Sequence, residues 1–183
     1  MPTPFTIKDQ YAPYFLTFQV RSWIDVFSRK IYRDIVVDSF NYCIDNKALS
    51  VHAWVIMTIH VHCIVSSKDG TLSNTIRDLK RHTSKAIVGT IKTSKESRRT
   101  WMLEQMRIRS MDIGAEVKYR FWTPENHAVE ISRHYRDIGE SRFHYVHENP
   151  VRAGWVHERE EYVYSSARDY AGRPGLIKLV KFW

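Results

Sequence analysis

Two runs of strand-forming residues, Ser50 to Met57 and Ile59 to Ser67, stand a single residue apart, and this limits the fold more than any other feature of the chain. Strands so close in sequence pair as an antiparallel hairpin, so part of the molecule must be an antiparallel sheet. The second run, Ile59-His60-Val61-His62-Cys63-Ile64-Val65-Ser66, sets two histidines two positions apart. Side chains alternate faces along a strand, so His60 and His62 project to one side while Val61, Cys63 and Val65 project to the other. Two imidazoles on one surface are half of a metal site.

The flanking segments extend the reading. Tyr14 to Val20 is aromatic and β-branched and predicts a first strand. Tyr32, Val36, Phe40 and Cys43 recur at helical spacing, predicting a helix from about Arg29 to Asp45 with Ser28 as its cap. After the turn at Lys68-Asp69-Gly70, a second helix opens at Thr71 or Ser73, with Leu72, Ile76, Leu79, Thr83 and Ile87 on one stripe. A further helix is predicted over Trp101 to Gly114, with Met102, Met106 and Ile113 inward, and a last strand over Val117 to Trp122. Ile131 to Glu148 predicts a final helix, interrupted at Gly139 and stopped by Asn149-Pro150. This order predicts an α+β fold, a ferredoxin-like split β-α-β antiparallel sheet with helices on one face and the active site on the other. The chain's 183 residues suit one domain, taken as residues 1–172, with a C-terminal tail over 173–183.

Charge points to the partner. The formal net charge is +8, and from Lys68 to Arg109 there are 11 Lys and Arg against 4 Asp and Glu, a difference of +7. A concentrated basic excess argues for a polyanion, and for nucleic acid before a membrane surface, because no amphipathic lysine-rich helix or lipidation motif accompanies it. Arg77, Lys80, Arg81 and Lys85 are the candidate phosphate contacts on the second helix, and Arg152 is a candidate contact near the final one. Cys43 and Cys63 lack metal-site spacing and read as reduced core residues. With no apolar run of membrane-spanning length, the expected location is cytoplasmic, associated with the nucleoid.

Tyr145 and Asn149 are four residues apart and share one helical face if the last helix persists to its end. Over the histidine face, Asn149 would complete a three-ligand site with His60 and His62, and Tyr145 would stand beside it. A phenol is a poor nucleophile at neutral pH, so attack on a phosphodiester needs a metal to polarise and orient the phosphate. Since ligating imidazoles must be neutral, activity is expected to fall below about pH 6.

The segment from Ala53 to Val65, containing Ile59-His60-Val61-His62, resembles the His-hydrophobe-His strand of the single-tyrosine HUH transposases. The run Tyr145-Val146-His147-Glu148-Asn149-Pro150-Val151-Arg152-Ala153-Gly154-Trp155-Val156, followed by Glu161 to Tyr170, resembles the C-terminal signature of their REP-associated tyrosine transposase branch. The resemblance implies a metal-dependent enzyme that cleaves and rejoins single-stranded or hairpin DNA. By it, His60, His62 and Asn149 hold Mg²⁺ or Mn²⁺, and Tyr145 forms a 5′-phosphotyrosyl link. It also implies that a homodimer is open to the chain, with the tyrosine serving its own or the partner's metal. Three departures accompany it: Thr58-Ile59 stands where the branch commonly has Pro-Asn, asparagine stands where many relatives carry a longer glutamine, and Lys92 to Gly114 aligns poorly with the family. Two other readings fit the residues, a catalytically inactive or domesticated DNA-hairpin binding protein of the same fold, and a zinc hydrolase drawing a third histidine from His144 or His147.

Overall fold

A computed structural model describes residues 6–108, 118–131 and 136–181. Its centre is a four-stranded antiparallel sheet in the order β2-β3-β1-β6, built from β1 (Tyr14–Gln19), β2 (Leu49–Ile56), β3 (His60–Ser67) and β6 (Val129–Glu130). The β2–β3 hairpin forms as its spacing requires, and β3 also pairs with β1, bringing Thr17 opposite His62 and Gln19 opposite His60.

Alternation assigns the two faces. Leu16, Phe18, Val61, Cys63 and Val65 join Trp54 and Ile56 in the larger core, which α1 (Lys30–Asn46) and α2 (Leu72–Thr93) cover with Tyr32, Val36, Phe40, Leu72, Ile76, Leu79 and Ile87. Phe15, Val55, Met57 and Ile64 point the other way and pack against Val146 of α4 (Arg136–Arg152). The crossover helices therefore occupy one face, as expected. The site face carries α4 as a roof over β2 and β3.

Several local expectations are corrected. Ser28 does not cap α1, because its hydroxyl donates to Asp25 O at 2.7 Å within a short 3₁₀ turn. Of the strand predicted over Val117 to Trp122, only Lys118–Tyr119 is regular, and Val117 lies outside the described residues. Residues 121–131 run along the free edge of β1, with Thr123 N–H donating to Gln19 O and Thr17 N–H to Asn126 O. Proline is tolerated there because an edge strand need not donate toward solvent. Lys118–Tyr119 (β5) instead pairs with Arg107–Ile108 (β4), directly after α3 (Arg99–Met106). Met102 and Met106 are buried as predicted, while Ile113 lies outside the described residues. Finally, α4 continues through Gly139 and Pro150 to Arg152. It stops at Gly154, whose φ of +71° suits glycine.

The C-terminal segment protects the other sheet edge. Ile56 N–H donates to Tyr164 O, Ser166 N–H to Trp54 O and Val180 N–H to Val51 O, so β2 is paired along its outer side. A short helix, α5 (Ala167–Tyr170), lies within this segment, and the Tyr170 hydroxyl donates to His52 O at 2.8 Å. No helix among the described residues is long and apolar enough to cross a membrane.

Candidate functional site

The floor of the site is the β1–β3 pair. On this face alternation places Phe15, Thr17 and Gln19 beside His60, His62 and Ile64. The two imidazole centroids are 4.4 Å apart. Phe15 stacks on His62 at 5.3 Å, and burial lowers the His60 pKa to about 4 and the His62 pKa to about 3, with His60 and Arg142 adding to the shift at His62. Both rings are thus neutral well below physiological pH. Nε2 of each is buried and has no hydrogen-bond partner.

An orphaned buried nitrogen is costly, and two on one surface call for a ligand. His62 Nδ1 lies 2.9 Å from Thr17 Oγ1, so a proton on Nδ1 directed at the hydroxyl leaves the Nε2 lone pair free. Among the described residues no group of three or more His, Cys, Asp or Glu surrounds the pair, and the nearby side chains that offer oxygen are amides and hydroxyls. These donors fit a divalent cation that keeps open positions for substrate oxygens.

The structure brings Tyr145 to the pair: its ring centroid is 5.2 Å from that of His62, edge to face, and 6.1 Å from that of Phe15. Asn149 follows one turn later and is half-buried. Its Nδ2 donates to Tyr145 O at 2.6 Å, which leaves Oδ1 as the atom it can offer a cation, and no hydrogen bond joins it to either histidine. The Arg152 guanidinium lies 5.7 Å from the Tyr145 ring centroid, so this predicted contact does border the site.

The α2 cations do not. They lie on the helix that covers the opposite face of the sheet. Arg77 and Arg81 are exposed against Asp78, and Lys85 is exposed. Lys80 is turned inward, donating to Thr123 O at 2.9 Å and Asn126 Oδ1 at 2.6 Å, and burial lowers its pKa to about 8. His147 is equally remote from a zinc role, since its Nε2 lies 2.7 Å from Ser166 Oγ in the packing behind α4, and His144 is exposed.

Sequence reasoning missed Thr17 and Arg142. Thr17 breaks the apolar pattern of the first strand, but only the β1–β3 register connects it to His62. Arg142 stands three residues before Tyr145 on the same helical face, and its guanidinium lies 5.0 Å from the Phe15 ring centroid.

No protein-family model and no curated protein matches the sequence. Among solved structures, the chain is similar to a REP-associated tyrosine transposase bound to a REP hairpin, with a TM-score of 0.60 at 18% identity, covering 100% of this chain and 94% of the other. The chain has the fold of that transposase. A putative transposase from Deinococcus radiodurans R1 aligns at a TM-score of 0.44 and 14% identity, over 78% of this chain and 94% of the other.

Proposed function

We propose that the chain is a metal-dependent transposase and endonuclease of single-stranded DNA, of the REP-associated tyrosine transposase branch. The observation that carries the proposal is the packing of Tyr145 against buried His62, whose half-buried neighbour His60 is likewise neutral, with the Nε2 atom of each ring buried and without a partner. His60 and His62 would hold Mg²⁺ or Mn²⁺ through Nε2, with Asn149 Oδ1 as the third protein donor. A bound cation polarises the scissile phosphate and offsets its charge.

Tyr145 supplies the nucleophile. Its phenolic oxygen bonds to phosphorus as its proton passes to solvent, the bond to the 3′-oxygen breaks, and that oxygen takes up a proton and leaves as a 3′-hydroxyl. The 5′-phosphate remains esterified to Tyr145. Attack by another strand's 3′-hydroxyl rejoins DNA by the same chemistry, without ATP. Arg152, beside the Tyr145 ring, steadies the anionic strand. Because Tyr145 reaches the histidines of its own chain, the arrangement favours an active site completed within one subunit, and a homodimer would present two of them.

The fold shared with a hairpin-bound transposase and the net charge of +8 support hairpin-bearing DNA as the substrate. On this reading the protein works in the cytoplasm at the nucleoid. The test is incubation with Mn²⁺ and labelled hairpin oligonucleotides, followed by denaturing electrophoresis. The proposal expects an SDS-resistant adduct with the wild type and none with Tyr145→Phe or His60→Ala/His62→Ala. DNA binding without an adduct across a panel of hairpins would instead establish a non-catalytic hairpin-binding protein.

A further inference from the structure

On the far side of the sheet from the histidines, α2 and the edge segment 119–126 enclose a groove of about 430 Å³. Its size falls within the range of roughly 300–1,000 Å³ for sites that take small organic groups. Arg77, Lys80, Arg81, Arg120, Thr123 and Asn126 supply much of its polar lining, beside apolar and aromatic side chains. Asp78 meets Lys47 at 2.6 Å, Arg81 at 3.2 Å and Arg77 at 3.4 Å, and one carboxylate cannot neutralise three cations. Arg120 is exposed and makes no ion pair among the described residues.

Two features make this more than a charged surface. Thr123 Oγ1 is buried and has no hydrogen-bond partner. Asn126 Oδ1 accepts from Lys80 at 2.6 Å, which leaves the Nδ2 donors as what this amide can offer a ligand. A hydroxyl and an amide set between arginines suit a ligand with acceptors on a flat group and on an attached anion. The groove also communicates with the candidate active site through one residue. Thr17 N–H donates to Asn126 O at 2.8 Å, while the Thr17 hydroxyl holds His62 across the sheet at 2.9 Å.

We propose that this groove is a second DNA subsite, holding one unpaired nucleotide of the strand that Tyr145 engages, its phosphate on Arg77 and Arg120 and its base edge on Asn126 and Thr123. The strand passes over the sheet edge formed by residues 121–131, and the thickness of one sheet separates the two positions. The inference rests on the DNA-processing reading above. Lys80 acts here as a positioning residue, fixing Asn126.

The test uses the full chain in EDTA, so that cleavage plays no part, with two labelled probes: a DNA hairpin bearing a single-stranded flank and the same hairpin with blunt ends. Asn126→Asp keeps the oxygen that Lys80 binds, so folding is preserved, and replaces the amide donors with a second carboxylate oxygen. It is expected to weaken binding of the flanked probe about 10-fold and leave the blunt probe within about 2-fold. The double variant Arg77→Gln/Arg120→Gln is expected to lower the salt dependence for the flanked probe by about one phosphate contact. Wild-type affinity of both variants for the flanked probe would overturn the subsite, as would failure of the chain to bind either probe. Weakened flanked binding by a chain that never forms an adduct upholds the subsite and refutes only the nuclease.

Discussion

Thr17→Val is the most informative small change to the site. Valine matches threonine in shape and suits a strand, but it removes the hydroxyl 2.9 Å from His62 Nδ1. Nδ1 is then left without its partner beneath the Phe15 ring, which costs about 1–3 kcal/mol. Part of this appears as lost stability. The rest would appear at the proposed metal site, because Nδ1 loses the partner that keeps its proton there and Nε2 becomes the alternative place for it. Removing such an outer-shell partner typically weakens metal affinity about 10–100-fold. The assay is the Mn²⁺ concentration giving half-maximal adduct on a hairpin oligonucleotide, with DNA affinity in EDTA and thermal stability measured in parallel. The expected result is a half-saturation raised about 10–100-fold, unchanged DNA affinity, and recovery in Thr17→Ser. A Mn²⁺ curve identical to the wild type would refute the assignment of Thr17 as the residue that orients His62.

Three further outcomes follow from the same structure. Ser166 Oγ accepts from Trp54 N–H at 2.9 Å and lies 2.7 Å from His147 Nε2, so Ser166→Ala leaves two buried groups unpaired and should cost about 2–4 kcal/mol, a fall of roughly 5–10 °C on thermal melting. His60, His62 and His147 have folded pKa values of about 4, 3 and 3, below their unfolded value, so the unfolded chain binds more protons as pH drops. Stability is therefore complete above about pH 6.5 and lost below it, at up to about 1.4 kcal/mol per pH unit per histidine, and a urea midpoint unchanged between pH 7 and pH 5 would contradict this. The same burial keeps both imidazoles neutral, so adduct formation by protein that remains folded should persist below the pH 6 limit expected for exposed histidines, as a pH profile of initial rates would show.

The parts of the fold legible in the sequence are those carried by period alone. Alternation in Ile59 to Ser66 placed the histidines on one face, and helical spacing placed Tyr145 and Asn149 on one side of α4. What stayed hidden depends on contacts between distant segments. The Thr17–His62 partnership needs the β1–β3 register, which no pattern within the first strand encodes. The edge segment 121–131 has only Val129–Glu130 in regular strand and takes its place through scattered backbone bonds to β1 across Pro124, leaving no alternation to read. Lys80 sits in a basic run on a helix, and only the presence of Thr123 and Asn126 beneath it turns a surface cation inward. Pro150 was read as a stop, yet α4 persists for two more residues because Trp155 N–H and Ala153 N–H still find Pro150 O and Asn149 O.

The proposal that Tyr145 is the nucleophile is tested most directly by mass spectrometry of the trapped adduct. Cleavage after Arg142 and Arg152 yields the peptide Phe143 to Arg152, in which Tyr145 is the one tyrosine. After reaction with Mn²⁺ and oligonucleotide and trimming of the DNA, this peptide should carry a nucleotide phosphate on Tyr145. An unmodified peptide alongside a nucleotide on another tyrosine, such as Tyr162 or Tyr170, or no protein–DNA adduct from any hairpin substrate, would contradict the account.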